Sequence, residues 1–152
     1  MHTKTTYKHW RIATYVLLII FLTVTVRFVW LFNKSWKIVV AARDGNILVV
    51  QNMLNDGIEA NIKCPIGGLH PISTAAYSGH IEIVQILLDH GANPTYGLPQ
   101  AILMNHPKIV QLLVAHGANV HHWQGYDKTP LQFAKEHGTQ QIVGYLRDAG
   151  AK

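Results

Sequence analysis

The sequence predicts an all-α protein: a solenoid of about four helix-turn-helix repeats, preceded by one transmembrane helix. Two observations carry this. Residues 12–32, "IATYVLLIIFLTVTVRFVWLF", form a 21-residue apolar run with one charge, Arg27. Beyond it, "LLDHGAN" at 87–93 returns almost unchanged as "LLVAHGAN" at 112–119, 26 residues further along. A phrase repeating in a chain of ordinary complexity marks a structural unit.

Charge separates the two parts. The formal net charge is +5 over 152 residues. Residues 1–37 hold Lys4, Lys8, Arg11, Arg27, Lys34 and Lys37 and no acid, so they carry +6; residues 38–152 hold seven bases and eight acids and carry −1. The C-terminal part is nearly neutral and has no basic stripe, which argues against nucleic-acid binding. The single cysteine, Cys64, forms no internal disulfide and reads as a small semi-buried loop residue.

The chain opens with a basic tail, residues 1–11. As a helix, residues 12–32 would be roughly 32 Å long, close to the hydrocarbon thickness of a bilayer. Tyr7 and Trp10 flank one end, Trp30 and Trp36 the other. Trp10 and Trp30 would lie about 30 Å apart, the span of two interfacial aromatic belts. Arg27 is within two turns of the C-terminal end and can snorkel to the interface. The run is apolar all round, which suits lipid better than a protein surface. A cleaved signal peptide is the competing reading, but the run is long for one and no small-residue cleavage site follows in "WLFNKSWK". Orientation rests on a small asymmetry: Lys4, Lys8 and Arg11 against Lys34, Lys37 and Arg43. A short basic tail favours the N-terminus in the cytoplasm and the domain outside it. In a bacterial inner membrane that is the periplasm, and the reverse orientation stays open.

Residues 33–152 divide into 36–61, 62–94, 95–120 and 121–152. Within them four segments share one outline: 36–61, 70–94, 96–120 and 129–152. Each has an Ala, a short polar break, an apolar pair, a Leu-type pair and a closing Gly. In the second the marks are Ala75, Gly79-His80, Ile83-Val84, Leu87-Leu88 and Gly91-Ala92; in the third, Ala101, Asn105-His106, Ile109-Val110, Leu113-Val114 and Gly117-Ala118. Apolar pairs at i, i+1, i+4 and i+5 make one face of a two-turn helix. The break is a tight turn and the closing Gly fits a helix C-cap. Neither short helix buries its face alone, so the units must stack.

On these marks the chain resembles the ankyrin repeat family, whose unit of about 33 residues carries a T-P-L-H-x-A signature. "TPLQFA" at 129–134 matches apart from Gln132; "HPISTA" at 70–75 keeps only the Pro and the Ala; "GHIEIVQILLDHGAN" at 79–93 is close to the family's second helix and turn. The closing glycines, Gly57, Gly91, Gly117 and Gly150, are spaced 34, 26 and 33. The middle unit is therefore about seven residues short. The resemblance implies projecting β-hairpins at about 58–70 and 119–128. At "NPTYGLPQA" there is no room for one, and a tight turn using Pro94, Gly97 and Pro99 is expected, leaving a notch. Arg147 stands where Leu54, Leu88 and Val114 stand earlier, as a terminal cap requires.

Ten histidines raise the question of metal, but no ligand spacing stands out. His121 and His122 are the densest pair, and adjacent residues on a hairpin would point to opposite faces. His90 and His116 suit helix C-termini. The resemblance assigns His80 and His106 to bracing hydrogen bonds between loops. Ser73, Ser78 and Cys64 have no evident base, and no nucleophile motif, phosphate loop or acid pair is present. The expectation is a non-enzyme with no catalytic residue, cofactor, metal or small-molecule substrate. The resemblance implies instead a protein partner bound on the concave face. Carried over by match, that face would show Leu69, Thr74, Tyr77, Ser78, Gln100, Leu103, Met104, Trp123, Tyr126, Lys128, Phe133, Glu136 and His137. Tyr77, Trp123 and Tyr126 would dominate, as aromatics do in interface hot spots. Phe133 and Leu69 are equally well read as inter-repeat core. The expected function is to hold or inhibit a protein near the bilayer, with the membrane engaged through 12–32. A toxin met by an immunity-type inhibitor and a membrane-associated enzyme are the partner types considered. A secreted or periplasmic binder or metal-handling protein, freed by cleavage, is the alternative.

Overall fold

The computed structural model describes residues 3–123 and 127–152, without the side chains of residues 3–13 and 31. Tyr126 lies outside the described residues, and the side chains of Tyr7 and Trp10 lie outside the description. The chain forms two compact units, residues 1–34 and 35–152.

The first unit is the longer part of helix α1 (Thr3–Arg43). Among the described residues it is the one helix long and apolar enough to cross a membrane. Its large side chains are exposed along the run, with Leu17 at 65% and Phe21 at 68%. The hydroxyls of Thr23 and Thr25 donate to the carbonyls of Ile20 and Leu22, at 2.8 and 2.9 Å. The Lys34 ammonium lies 3.7 Å from the centre of the Trp30 ring.

The second unit begins with residues 35–43 of α1 and continues with α2 (Ile47–Asn55), α3 (Pro71–Ser78), α4 (Ile81–Asp89), α5 (Leu98–Leu103), α6 (Pro107–Ala115), α7 (Pro130–His137) and α8 (Gln140–Asp148). The helices after α1 have six to nine residues, too few to stand alone. Helices α3, α5 and α7 pack side by side in one row; α2, α4, α6 and α8 form the other. The core runs between the rows: Ile38 and Val50, then Ile72, Val84 and Leu87, then Ile102, Val110 and Leu113, then Ile142 and Leu146, all fully buried. Ala75, Ala101 and Ala134 are also at 0% exposure, letting neighbouring helices approach closely. Leu54 and Leu88 are buried and Arg147, at the matching position of α8, is exposed.

Hydrogen bonds lock each unit to the next. The Nε2–H of His80 donates to the Arg43 carbonyl at 2.9 Å, and that of His106 to the Tyr77 carbonyl at 3.3 Å. Each ring lies over the turn glycine of the preceding unit. A Cβ at Gly45 or Gly79 would meet Cε1 of the ring at 2.8 Å, and both glycines have φ near +80°. The next turn uses Asn105 (φ +59°), because the following unit has Thr139 in the histidine's place. The Thr139 amide donates to Asn105 Oδ1 at 3.2 Å instead.

Among the described residues no strand occurs, which corrects the expected hairpins at 58–70 and 119–128. The first is a loop of turns closed by the Cys64 amide on the Leu69 carbonyl, 2.8 Å, around Gly67 and Gly68 at positive φ. In the second, the amides of His121 and His122 both donate to Asn119 Oδ1, a side-chain turn in place of a ladder. The opposite-face argument for these two histidines therefore has no strand to rest on. Between the loops, Pro94–Tyr96 is a single 3-10 turn capped by Asn93, and α5 starts at once at Leu98.

Candidate binding groove

The shortened junction leaves a groove of about 510 Å³. One wall is the loop Gly67, Gly68, Leu69 and His70. The opposite wall is Asn119, His122 and Trp123. The floor is the connector Asn93, Thr95 and Tyr96, with Ser73 from α3 and Pro99 and Gln100 from α5. The volume lies within the range of ligand-binding clefts, about 300–1,000 Å³.

Side chains of Asn61 and Thr95, each four residues after a closing glycine, tie successive loops together. Asn61 donates through Nδ2 to the Gly91 carbonyl at 2.8 Å and accepts at Oδ1 from the Asn93 amide at 2.7 Å. Asn93 accepts from the Thr95 amide at 2.9 Å. The Thr95 hydroxyl oxygen then accepts from the Asn119 amide at 3.0 Å. Thr95 thus does for the loop at Asn119 what Asn61 does for the one at Gly91 and Asn93. Gly97 lets the short connector reach the core, since a Cβ there would lie 3.2 Å from Leu113 Cδ1 and 3.4 Å from Ala76 Cβ.

The imidazole of His70 stacks on Tyr96, ring centres 4.0 Å apart and 12° from parallel. Its Nδ1 lies 3.2 Å from the Asn61 carbonyl and its backbone amide donates to Ser73 Oγ at 3.1 Å. Burial pushes the His70 pKa below its ordinary value, and the charge of Lys63 adds to this; bonds to the Asn61 and Ile62 backbone oppose it in part. Among the described residues the groove lining carries no Asp, Glu, Lys or Arg. Within it the Gln100 Oε1 is buried and has no hydrogen-bond partner among the described residues.

Of the expected face, the groove brings together Leu69, Gln100 and Trp123. Leu69, Tyr77, Leu103 and Met104 are exposed, at 40%, 48%, 47% and 39%. Ser78 and Phe133 are half-buried, and Lys128, Glu136 and His137 are exposed. Two residues are not surface features as expected. Thr74 is buried because its hydroxyl donates inward, to the carbonyls of Pro71 (2.9 Å) and Val39 (3.2 Å). Trp123 is 2% exposed because its ring packs edge-on to Phe133, centres 5.6 Å apart, within the core. Lys128 pairs with Glu136, holding that carboxylate below its usual pKa range, and His137 packs on Phe133. Sequence reasoning missed His70 and Tyr96 as groove residues; the one signal was a tyrosine inside a connector too short for a hairpin. Among the described residues, no three His, Cys, Asp or Glu side chains converge as metal ligands would.

Comparison with known proteins gives a consistent picture. A family model described as ankyrin repeats (3 copies) matches residues 38–122, more than half of the chain, and a second, described as ankyrin repeats (many copies), matches residues 98–147. Over 58 residues the chain is 34% identical to the 2-5A-dependent ribonuclease of Mus musculus; this is 38% of the chain and 8% of that protein. The chain therefore spans less than a tenth of the length of this curated relative.

Proposed function

This chain belongs to the ankyrin repeat family, and from that premise we propose that it is a membrane-anchored, non-catalytic module that holds or inhibits a protein partner at a bilayer. Ankyrin repeats are in general protein-interaction modules rather than catalysts, and the ribonuclease activity named for the mouse relative belongs to a protein sharing only a short stretch with this one.

The observation that carries the anchor is the row of exposed apolar side chains from Tyr15 to Trp30, interrupted by Thr23, Thr25 and one charge, Arg27. Each such side chain withdrawn from water contributes about 1.5–3 kcal/mol. The hydroxyls within the run, on Thr23 and Thr25, bond to their own helix and ask nothing of the surroundings. Lys34 over Trp30 suits an interface, where a cation and an indole sit together at headgroup depth. In this reading 1–11 is a basic tail, 12–32 the span and 33–152 the binding domain. The N-terminus lies in the cytoplasm, and a reporter fused after Lys152 tests that side directly. An immunity-type inhibitor of a membrane-acting toxin and a scaffold for a membrane enzyme both need this arrangement. The partner meets the exposed face of the first helices around Tyr77, Leu103 and Met104.

A photo-crosslinking residue at Tyr77 or Leu103 in the membrane-embedded full chain tests the binding face. The expected result is a discrete adduct with one protein, absent when the same group replaces Leu48, which is 72% exposed on α2. Equal labelling from all three positions, or none, would count against the module.

A further inference from the structure

We propose that the groove between the 67–70 loop and Trp123 receives an extended, uncharged segment of a partner protein, lying where the missing loop of the third unit would run. This rests on the protein-binding reading above.

Three observations carry it. The groove is a gap in a row of loops: the second unit fills its place with residues 61–70, while the third has only Asn93–Gly97. The vacancy thus has the course of a peptide chain rather than of a rounded ligand. Second, among the described residues no charged side chain lines it, and His70 is held toward its neutral form there. Lys63 stands behind the loop wall at Gly68 and is not part of the lining. A charge brought onto the floor at Tyr96 and Gln100 would lose its hydration and find no charged lining residue there, so the part seated on the floor is uncharged. Third, the buried Gln100 Oε1 has no partner among the described residues. A primary amide presents an acceptor and donors side by side, matching the N–H and C=O of an extended backbone. An unsatisfied buried acceptor gains most from such a donor. Leu69, Tyr96 and Pro99 add apolar surface for one aliphatic or aromatic side chain of the segment. The exposed face at Tyr77 and Leu103 is not part of this lining, so the two regions can be tested apart.

The test is panning a phage library of random linear heptapeptides against the full chain in phosphatidylcholine nanodiscs, followed by affinity measurement on synthesised winners. The expected winners are uncharged across most of their length and carry an aliphatic or aromatic residue. Their affinity falls at least tenfold with Gln100→Ala and with Tyr96→Ala, and is unchanged with Tyr77→Ala. If Tyr96→Ala disturbs the fold, Gln100→Ala carries the result, since its amide oxygen bonds nothing else in the described structure. Failure to enrich any peptide, charged winners, or winners indifferent to Gln100→Ala would overturn the proposal. Winners sensitive to Tyr77→Ala alone would overturn it too, while leaving the protein-binding module standing. Loss of both peptide binding and Tyr77 crosslinking would remove the module itself.

Discussion

Gly79 is held by two constraints at once, and they can be separated. Its φ of +81° strains any residue with a Cβ, and the His106 ring occupies the space that Cβ would need. Gly79→Ala is expected to lower stability by about 1–3 kcal/mol, read as a shifted denaturation midpoint in mild detergent. In a His106→Ala background the penalty should shrink to the backbone part, so the two substitutions should be non-additive. Additive losses would show that the ring does not press on the turn. A second residue gives a pH signature. The folded state disfavours the charged form of His70, so the unfolded chain binds its proton more readily. Stability from this group is present above the ordinary histidine pKa of about 6.5 and is lost as pH falls through the interval below it. His70→Gln should flatten that part of the stability profile relative to the parent. Trp123 marks the limit of reading at this scale. In "HHWQGYDK" it has polar neighbours and looks like an exposed loop aromatic. It is buried in the core cluster, where its ring meets Phe133 of the next helix, and its immediate neighbours in sequence do not encode that packing.

At the scale of elements, the loops depend on side chains that mimic one another. Asn61 serves the shortened junction with two hydrogen bonds and Thr95 serves the loop after it, at Asn119, with one. Asn61→Ala should therefore destabilise more than Thr95→Ala. About 0.5–1.5 kcal/mol is expected for each hydrogen bond removed, measured by denaturation, with amide exchange at Asn93 and Asn119 reporting which loop loosened. Equal losses would mean that the loops are held by their hydrophobic contacts. The helices were legible because their pairs, such as Ile83-Val84, Leu87-Leu88 and Ile109-Val110, are buried as the spacing requires. The compact turn at Pro94–Tyr96 was legible from the 26-residue interval. The projecting hairpins were not: strand pairing at 58–70 would need a ladder, and the chain there makes one cross-loop bond around two glycines. A loop's length shows in sequence, whereas its hydrogen-bond pattern is set by partners elsewhere, here the asparagine of the neighbouring unit.

At the scale of the molecule, Arg147 is exposed on α8 where other units carry an apolar residue. Arg147→Leu should leave stability within about 0.5 kcal/mol while raising self-association, measured by light scattering. The two parts of the chain were legible to different degrees. The repeats show in sequence because their core positions recur in register. The short interval implies a notch as well, but not what lines it, because the lining comes from three different loops and two helices. The central claim, a binding module that keeps its apolar helix and stays in a membrane, is tested most directly by one measurement. It is the intact mass of the mature chain recovered from its native host after carbonate washing of membranes. The expected result is the full 17.0 kDa chain in the washed membrane fraction. A soluble chain shorter by about 35 residues, with 12–32 removed as a signal sequence would be, would contradict the account.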